Sequence, residues 1–157
     1  MLDHHRALIY TMIIVSAADS DMPDAELRII ADIVGDLPVF RDFDRGELPR
    51  VLNDCTDLIG HEDGLEETLK AIKTALPAKL RETAYAIACD LVAADGEATQ
   101  EELRVLEMIR HRLSIDRLIA VAIVMARYVS APRRLSHLSR TRLDVRIIPS
   151  TWARFWL

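Results

Sequence analysis

Residues 8–37 read LIYTMIIVSAADSDMPDAELRIIADIVGDL and residues 84–113 read AYAIACDLVAADGEATQEELRVLEMIRHRL, and the two stretches align without a gap at an offset of 76 residues. Ala17-Ala18-Asp19 falls on Ala93-Ala94-Asp95, Glu26-Leu27-Arg28 on Glu102-Leu103-Arg104, Ile33 on Ile109 and Leu37 on Leu113, while Asp21 meets Glu97 with the charge kept. Each stretch is an apolar helix, a short acidic loop and a second helix, so the pattern predicts a duplicated helix-loop-helix unit. With two copies only, the expectation is a pseudo-twofold domain rather than a solenoid.

Working outward, apolar residues recur at helical spacing in Leu48, Val51, Leu52, Cys55, Leu58 and Ile59, in Leu65, Leu69, Ile72 and Leu76, and in Leu80, Ala84, Ile87, Leu91 and Ala94. Breaks fall at Pro38, Gly46, Gly60 to Gly64 and Pro77, the last suited to a helix's first turn. The map is all-α, about seven helices near residues 2–18, 23–36, 45–59, 63–76, 78–94, 100–113 and 115–128.

The 157 residues fit one compact domain, and half of them are apolar, too many for intrinsic disorder. Cys55 and Cys89 lie inside helical patterns without ligand-like spacing and read as reduced core thiols, which points to the cytoplasm. The net charge of −5 conceals a split: residues 1–130 hold 14 basic against 24 acidic groups, a net of −10, and residues 131–157 hold six Arg against one Asp. The domain is therefore expected over 1–130, with 131–157 a basic, aromatic-ended extension. An acidic body repels phosphate backbones, so no nucleic acid is expected on it. The apolar run Ala7–Ala18 behind His4, His5 and Arg6 imitates a signal peptide, but Asp3 is out of place there and the same Ala-Ala-Asp ending recurs internally, so a folded helix is expected. The run Leu118–Ala126 is far shorter than the roughly 20 residues of a membrane span, and no transmembrane segment is expected.

The acidic loops carry the chemistry. In each unit an Asp closes the first helix and a Glu seven positions on opens the second, as Asp19/Glu26 and Asp95/Glu102, with Asp21 and Glu97 as further ligand candidates. A chain reversal brings each pair together, and a pseudo-twofold would bring the pairs together. Carboxylates without imidazole or thiolate suit Ca²⁺, Mg²⁺ or Mn²⁺ rather than zinc or copper, and no organic cofactor is expected. An EF-hand is excluded, because counting from Asp19 puts Asp24 at the glycine position and Ile30 at the bidentate position, and from Asp95 the count gives Gln100 and Leu106. The competing reading is structural: Thr99-Gln100-Glu101-Glu102 is a capping box, and acidic residues in a first turn favour the helix dipole. Pro23 replaces the capping Thr in the first unit, so capping does not account for Glu26.

No phosphate loop, nucleophile elbow or His-Cys pair occurs, and no enzyme is expected; a metal-dependent hydrolase would need a substrate cleft and an open ligand position. His61-Glu62 begins like a metalloprotease motif, but Leu65 stands where the second His belongs. Asp90 reads as a partly exposed helix residue, the alternative being that it joins the acidic cluster. The tail, with Trp152, Phe155 and Trp156, reads either as a weakly ordered extension or frame artefact, or as a patch that docks on the acidic body, a partner or a membrane surface.

The turn Ala93–Gly96, Glu102-Leu103-Arg104, and Leu76-Pro77-Ala78-Lys79-Leu80-Arg81 leading into a helix resemble the TerB-like family over about residues 5–125. The resemblance implies an all-helical domain with duplicated acidic units proposed to bind metal, found in bacterial tellurite-resistance and stress-response systems and fused to membrane-anchored J-domain co-chaperones of the DjlA type. It implies no catalytic activity. Carried over by position, the metal site is Asp19, Glu26, Asp95 and Glu102; Ser20, in place of the usual glycine, and Pro23 depart from the pattern. No His-Pro-Asp occurs, so a chaperone link would run through a partner. The expected function is a metal-binding interaction module with a protein partner; the alternative is a metal-free binding domain that uses its acidic face. A homo-oligomer is compatible with both.

Overall fold

The computed structural model describes residues 2–19, 24–94 and 98–130. Among them are seven α-helices: α1 (His4–Ser16), α2 (Asp24–Asp36), α3 (Leu48–Ile59), α4 (Gly64–Ala75), α5 (Ala78–Ala93), α6 (Gln100–Arg112) and α7 (Arg117–Ser130). Single 3₁₀ turns lie at Ala17–Asp19, Pro38–Phe40 and Arg45–Glu47, and no strand is present among the described residues. The third expected helix therefore begins three residues late, because residues 45–47 form a 3₁₀ turn capped by the Asp44 carboxylate on the Gly46 amide at 2.9 Å.

Two helices form the interior. Every residue from Ala7 to Ser16 of α1 is buried, as is every residue from Ala84 to Cys89 of α5. These are the helices whose sequences are apolar on nearly all sides, and such a helix is stable only when neighbours surround it. Accordingly α1 packs against α2, α3, α4, α5 and α6, and α5 against α1, α2, α6 and α7. The outer helices bury one stripe each: Leu48, Val51 and Cys55 on α3, Leu69 and Ile72 on α4, Leu103, Leu106 and Ile109 on α6. Leu58 and Ala94, expected on buried faces, are exposed.

The two buried threonine hydroxyls bond within their own helices. Thr11 Oγ1 donates to the Ala7 carbonyl at 2.8 Å and Thr68 Oγ1 to the Gly64 carbonyl at 2.7 Å. At the outer end of α1, Asp3 caps the Arg6 amide at 2.9 Å, and Arg6 in turn reaches Glu47 at 2.7 Å, tying α1 to the 45–47 turn. His5 belongs to the same corner, its ring 6.1 Å from Phe40 and 5.8 Å from Phe43. Cys55 and Cys89 are buried free thiols. Burial pushes Cys55 up to about 12 and Cys89 higher, so neither ionises near neutrality.

The α6–α7 corner is held by Arg110, which bonds Glu107 at 2.5 and 2.9 Å and reaches the Ile115 carbonyl at 3.3 Å. The guanidinium holds the Glu107 carboxyl below the usual carboxylate range. A depressed carboxylate contributes stability that is present above its unfolded value and lost as pH falls through the folded value. Glu107→Gln should therefore flatten the fall in urea midpoint as pH drops below the ordinary glutamate value of about 4.3; a wild-type slope in the variant would refute this role.

The α3–α4 turn depends on a small residue. Asp63 adopts a left-handed φ of 64° and Gly64 lies so close to the end of α3 that a Cβ would collide with the Leu58 carbonyl oxygen. Backbone cannot yield as a flexible side chain can, so Gly64→Ala should lower unfolding stability by about 1–3 kcal/mol in chemical denaturation. A variant that unfolds with the wild type would show that the turn re-forms.

Candidate functional site

The first acidic turn is built from the end of α1. Ser16, the last residue of the buried helix, donates its hydroxyl to Glu26 Oε2, so the first turn of α2 is drawn back onto the C-terminus of α1. Asp24 and Glu26 both stand in that first turn, where the helix dipole favours negative charge. Directly after Ser16 the chain enters the 3₁₀ turn Ala17–Asp19, which packs against α6 of the second acidic stretch.

The second turn is built differently. Thr99 is the N-cap of α6: its Oγ1 accepts from the Glu102 amide at 3.1 Å, and Glu102 Oε2 accepts from the Thr99 amide at 2.7 Å. The reciprocal capping box read from the sequence is thus present, and it fixes the Glu102 side chain over the start of the helix.

Of the expected ligand set, Glu26 and Glu102 are described. Asp19 is placed by its backbone in the 3₁₀ turn, while its side chain and the residues Asp21, Asp95 and Glu97 lie outside what the structure describes. Among the described residues no group of three or more His, Cys, Asp or Glu side chains gathers around one point. The donor chemistry of the expected set is all oxygen and fits a hard cation rather than a soft one. Residues 131–157, including Trp152, Phe155 and Trp156, also lie outside the described residues.

The packing joins the two acidic stretches crosswise. α1 and α5 lie against each other, α1 also touches α6, and α2 also touches α5. The turn of one stretch is therefore seated against the helix of the other. Asp90, one helical turn before the second acidic loop, is not part of that junction. Its carboxylate is 3.2 Å from Arg127 of α7, with burial pushing its pKa up and Arg127 opposing that push.

One contributor went unseen in the sequence. Ser16 lies where the other copy has Val92, so the alignment marks it only as a mismatch, although a hydroxyl closing a buried helix does signal a bond. Arg81 is half-buried, with Nη2 3.4 Å from the Lys73 carbonyl, and lines a cavity of about 200 Å³ with Glu82, Ser114 and Asp116. That placement gives the Leu76–Arg81 segment a packing role: Leu76 is buried and Pro77 caps α5. His61 and Glu62 are exposed in the α3–α4 turn.

Among the described residues the chain is an all-α domain wound round two buried helices, a small α-helical protein. The chain belongs to the family of the tellurite resistance protein TerB, whose family model matches residues 5–123. No curated protein and no solved structure matches the chain. No helix among the described residues is long and apolar enough to cross a membrane.

The cap at α6 has a measurable worth. Thr99→Ala removes the acceptor for the Glu102 amide and should lower stability by about 1 kcal/mol in urea unfolding. An unchanged midpoint would mean that another group takes over the cap.

Proposed function

We propose that this domain takes up a hard divalent cation, Ca²⁺, Mg²⁺ or Mn²⁺, at the junction of its two acidic turns, and that the bound ion steadies a surface for a protein partner in tellurite resistance or a related cytoplasmic stress response. The ligands in this reading are Asp19, Glu26, Asp95 and Glu102, with Asp21 and Glu97 beside them. The role is binding rather than catalysis. The observation that carries it is the crosswise packing of α1 on α6 and of α2 on α5, with the 17–19 turn seated against α6. Reciprocal contacts of this kind are what a pseudo-twofold pair of helical hairpins makes, and they support drawing the two carboxylate pairs toward one place. Ser16 and Thr99 hold Glu26 and Glu102 in position, and side chains ordered before binding lose less entropy when they ligate.

Calorimetric titration of the chain with each ion, together with thermal unfolding, tests the proposal. A ligand that binds only the folded state raises stability by RT ln(1 + [L]/Kd), about 2.7 kcal/mol at a hundredfold excess over Kd. Asp19→Asn with Asp95→Asn should abolish the heat and the stabilisation, while Thr99→Ala should leave binding in place. Flat titrations with all three ions would reject metal binding.

The capping box favours a second reading, in which Glu102 serves its own helix and the acidic face recruits a basic protein without metal. Partner capture that weakens steeply with salt and ignores chelator would identify it.

A further inference from the structure

We propose that the chain's own C-terminal segment, residues 131–157, docks along the outer face of α7. This helix buries Ala120 and Val124, and α5 is its main neighbour in the fold. Its opposite side is equally apolar but open: Leu118 is 80% exposed, Ile119 40% and Met125 39%, three of the five large exposed hydrophobic residues among those described. Leu118, Ala122 and Met125 stand at i, i+4 and i+7, so they form one stripe along the helix. A helix apolar on both sides normally has both covered, and a contiguous open apolar face marks a contact site.

Three features assign that face to the tail. Residue 131 follows α7 directly, so the 27 residues to Leu157 are tethered beside the stripe at an effective concentration of order mM. α7 is about 21 Å long at 1.5 Å per residue, whereas 27 extended residues span up to about 90 Å, ample to double back to Leu118. The segment carries the apolar groups to cover the stripe, among them Ile147, Ile148, Trp152, Phe155 and Trp156. Its six Arg against one Asp also face a body of net charge −10, so long-range attraction favours the fold-back. Two copies of the whole chain, each of net charge −5, repel instead.

The test uses the full chain. Its two tryptophans, Trp152 and Trp156, both lie in the tail, so tryptophan emission reads this segment alone. The expected result is emission blue-shifted from that of the urea-unfolded chain and severalfold protection from acrylamide, neither depending on protein concentration. Leu118→Asp with Met125→Asp should return both readings to the unfolded values while circular dichroism keeps its helical signal. Should the pair of substitutions reduce helix content, Leu118→Asp alone, at the most exposed position, makes the same comparison. Tryptophans as open to acrylamide in the native chain as in urea would overturn the proposal, as would protection unchanged by the substitutions. Protection that grows with concentration, alongside a dimeric mass in light scattering, would give the face to a second copy.

Discussion

Ten consecutive residues of α1, Ala7–Ser16, are shielded from water, and a helix in that position must have neighbours on every side. Removing one apolar side chain of this size from water contributes roughly 1.5–3 kcal/mol, so this stretch is the largest continuous source of stability in the molecule. Five helices are placed by the need to cover it. α5 has the same requirement over Ala84–Cys89, and the two meet each other's need by lying in contact. The outer helices then require only one apolar stripe apiece, which is what α3, α4 and α6 supply.

The acidic turns inherit their position from that arrangement. A buried helix has to release its chain at an end where polar groups regain partners, and Ser16 marks that end for α1: it is itself buried, and its hydroxyl is satisfied by Glu26. Because α1 lies against α6 as well as α5, the 17–19 turn that follows α1 rests on α6. Glu26 and Glu102 thus stand in the first turns of their helices, a placement the helix dipole favours whether or not an ion is present.

The fold was readable because hydrophobic period and helix punctuation agree in most of the chain. Leu103, Leu106 and Ile109 are buried as their spacing requires, Thr99 caps as its Thr-x-x-Glu pattern requires, and Pro77 opens α5. The 45–47 turn was less readable, since Asp44 caps a 3₁₀ turn with the same residue type that opens an α-helix. The Asp90–Arg127 pair joins residues 37 positions apart, on two helices whose relative placement no local spacing encodes. At the acidic site, the two Glu positions and the cap were legible as local patterns. Ser16 was not, because its partner was fixed by the reversal between α1 and α2 rather than by periodicity.

Capping and ion binding at Glu102 are linked through one side chain. The cap engages Oε2. A cation that took this oxygen away from the Thr99 amide would forfeit roughly 1 kcal/mol of capping energy, which raises its apparent Kd about fivefold. A cation that leaves this bond in place keeps the cap standing and gains a ligand whose rotamer is already fixed. The second geometry is therefore the lower in free energy, and a cap at this place assists an ion that respects it. The first turn obeys the same logic with a side-chain donor, since Ser16 bonds Glu26 through Oε2 and orients it. Donors of this kind fix where each carboxylate stands, and an ordered carboxylate is what a cation or a basic partner would meet.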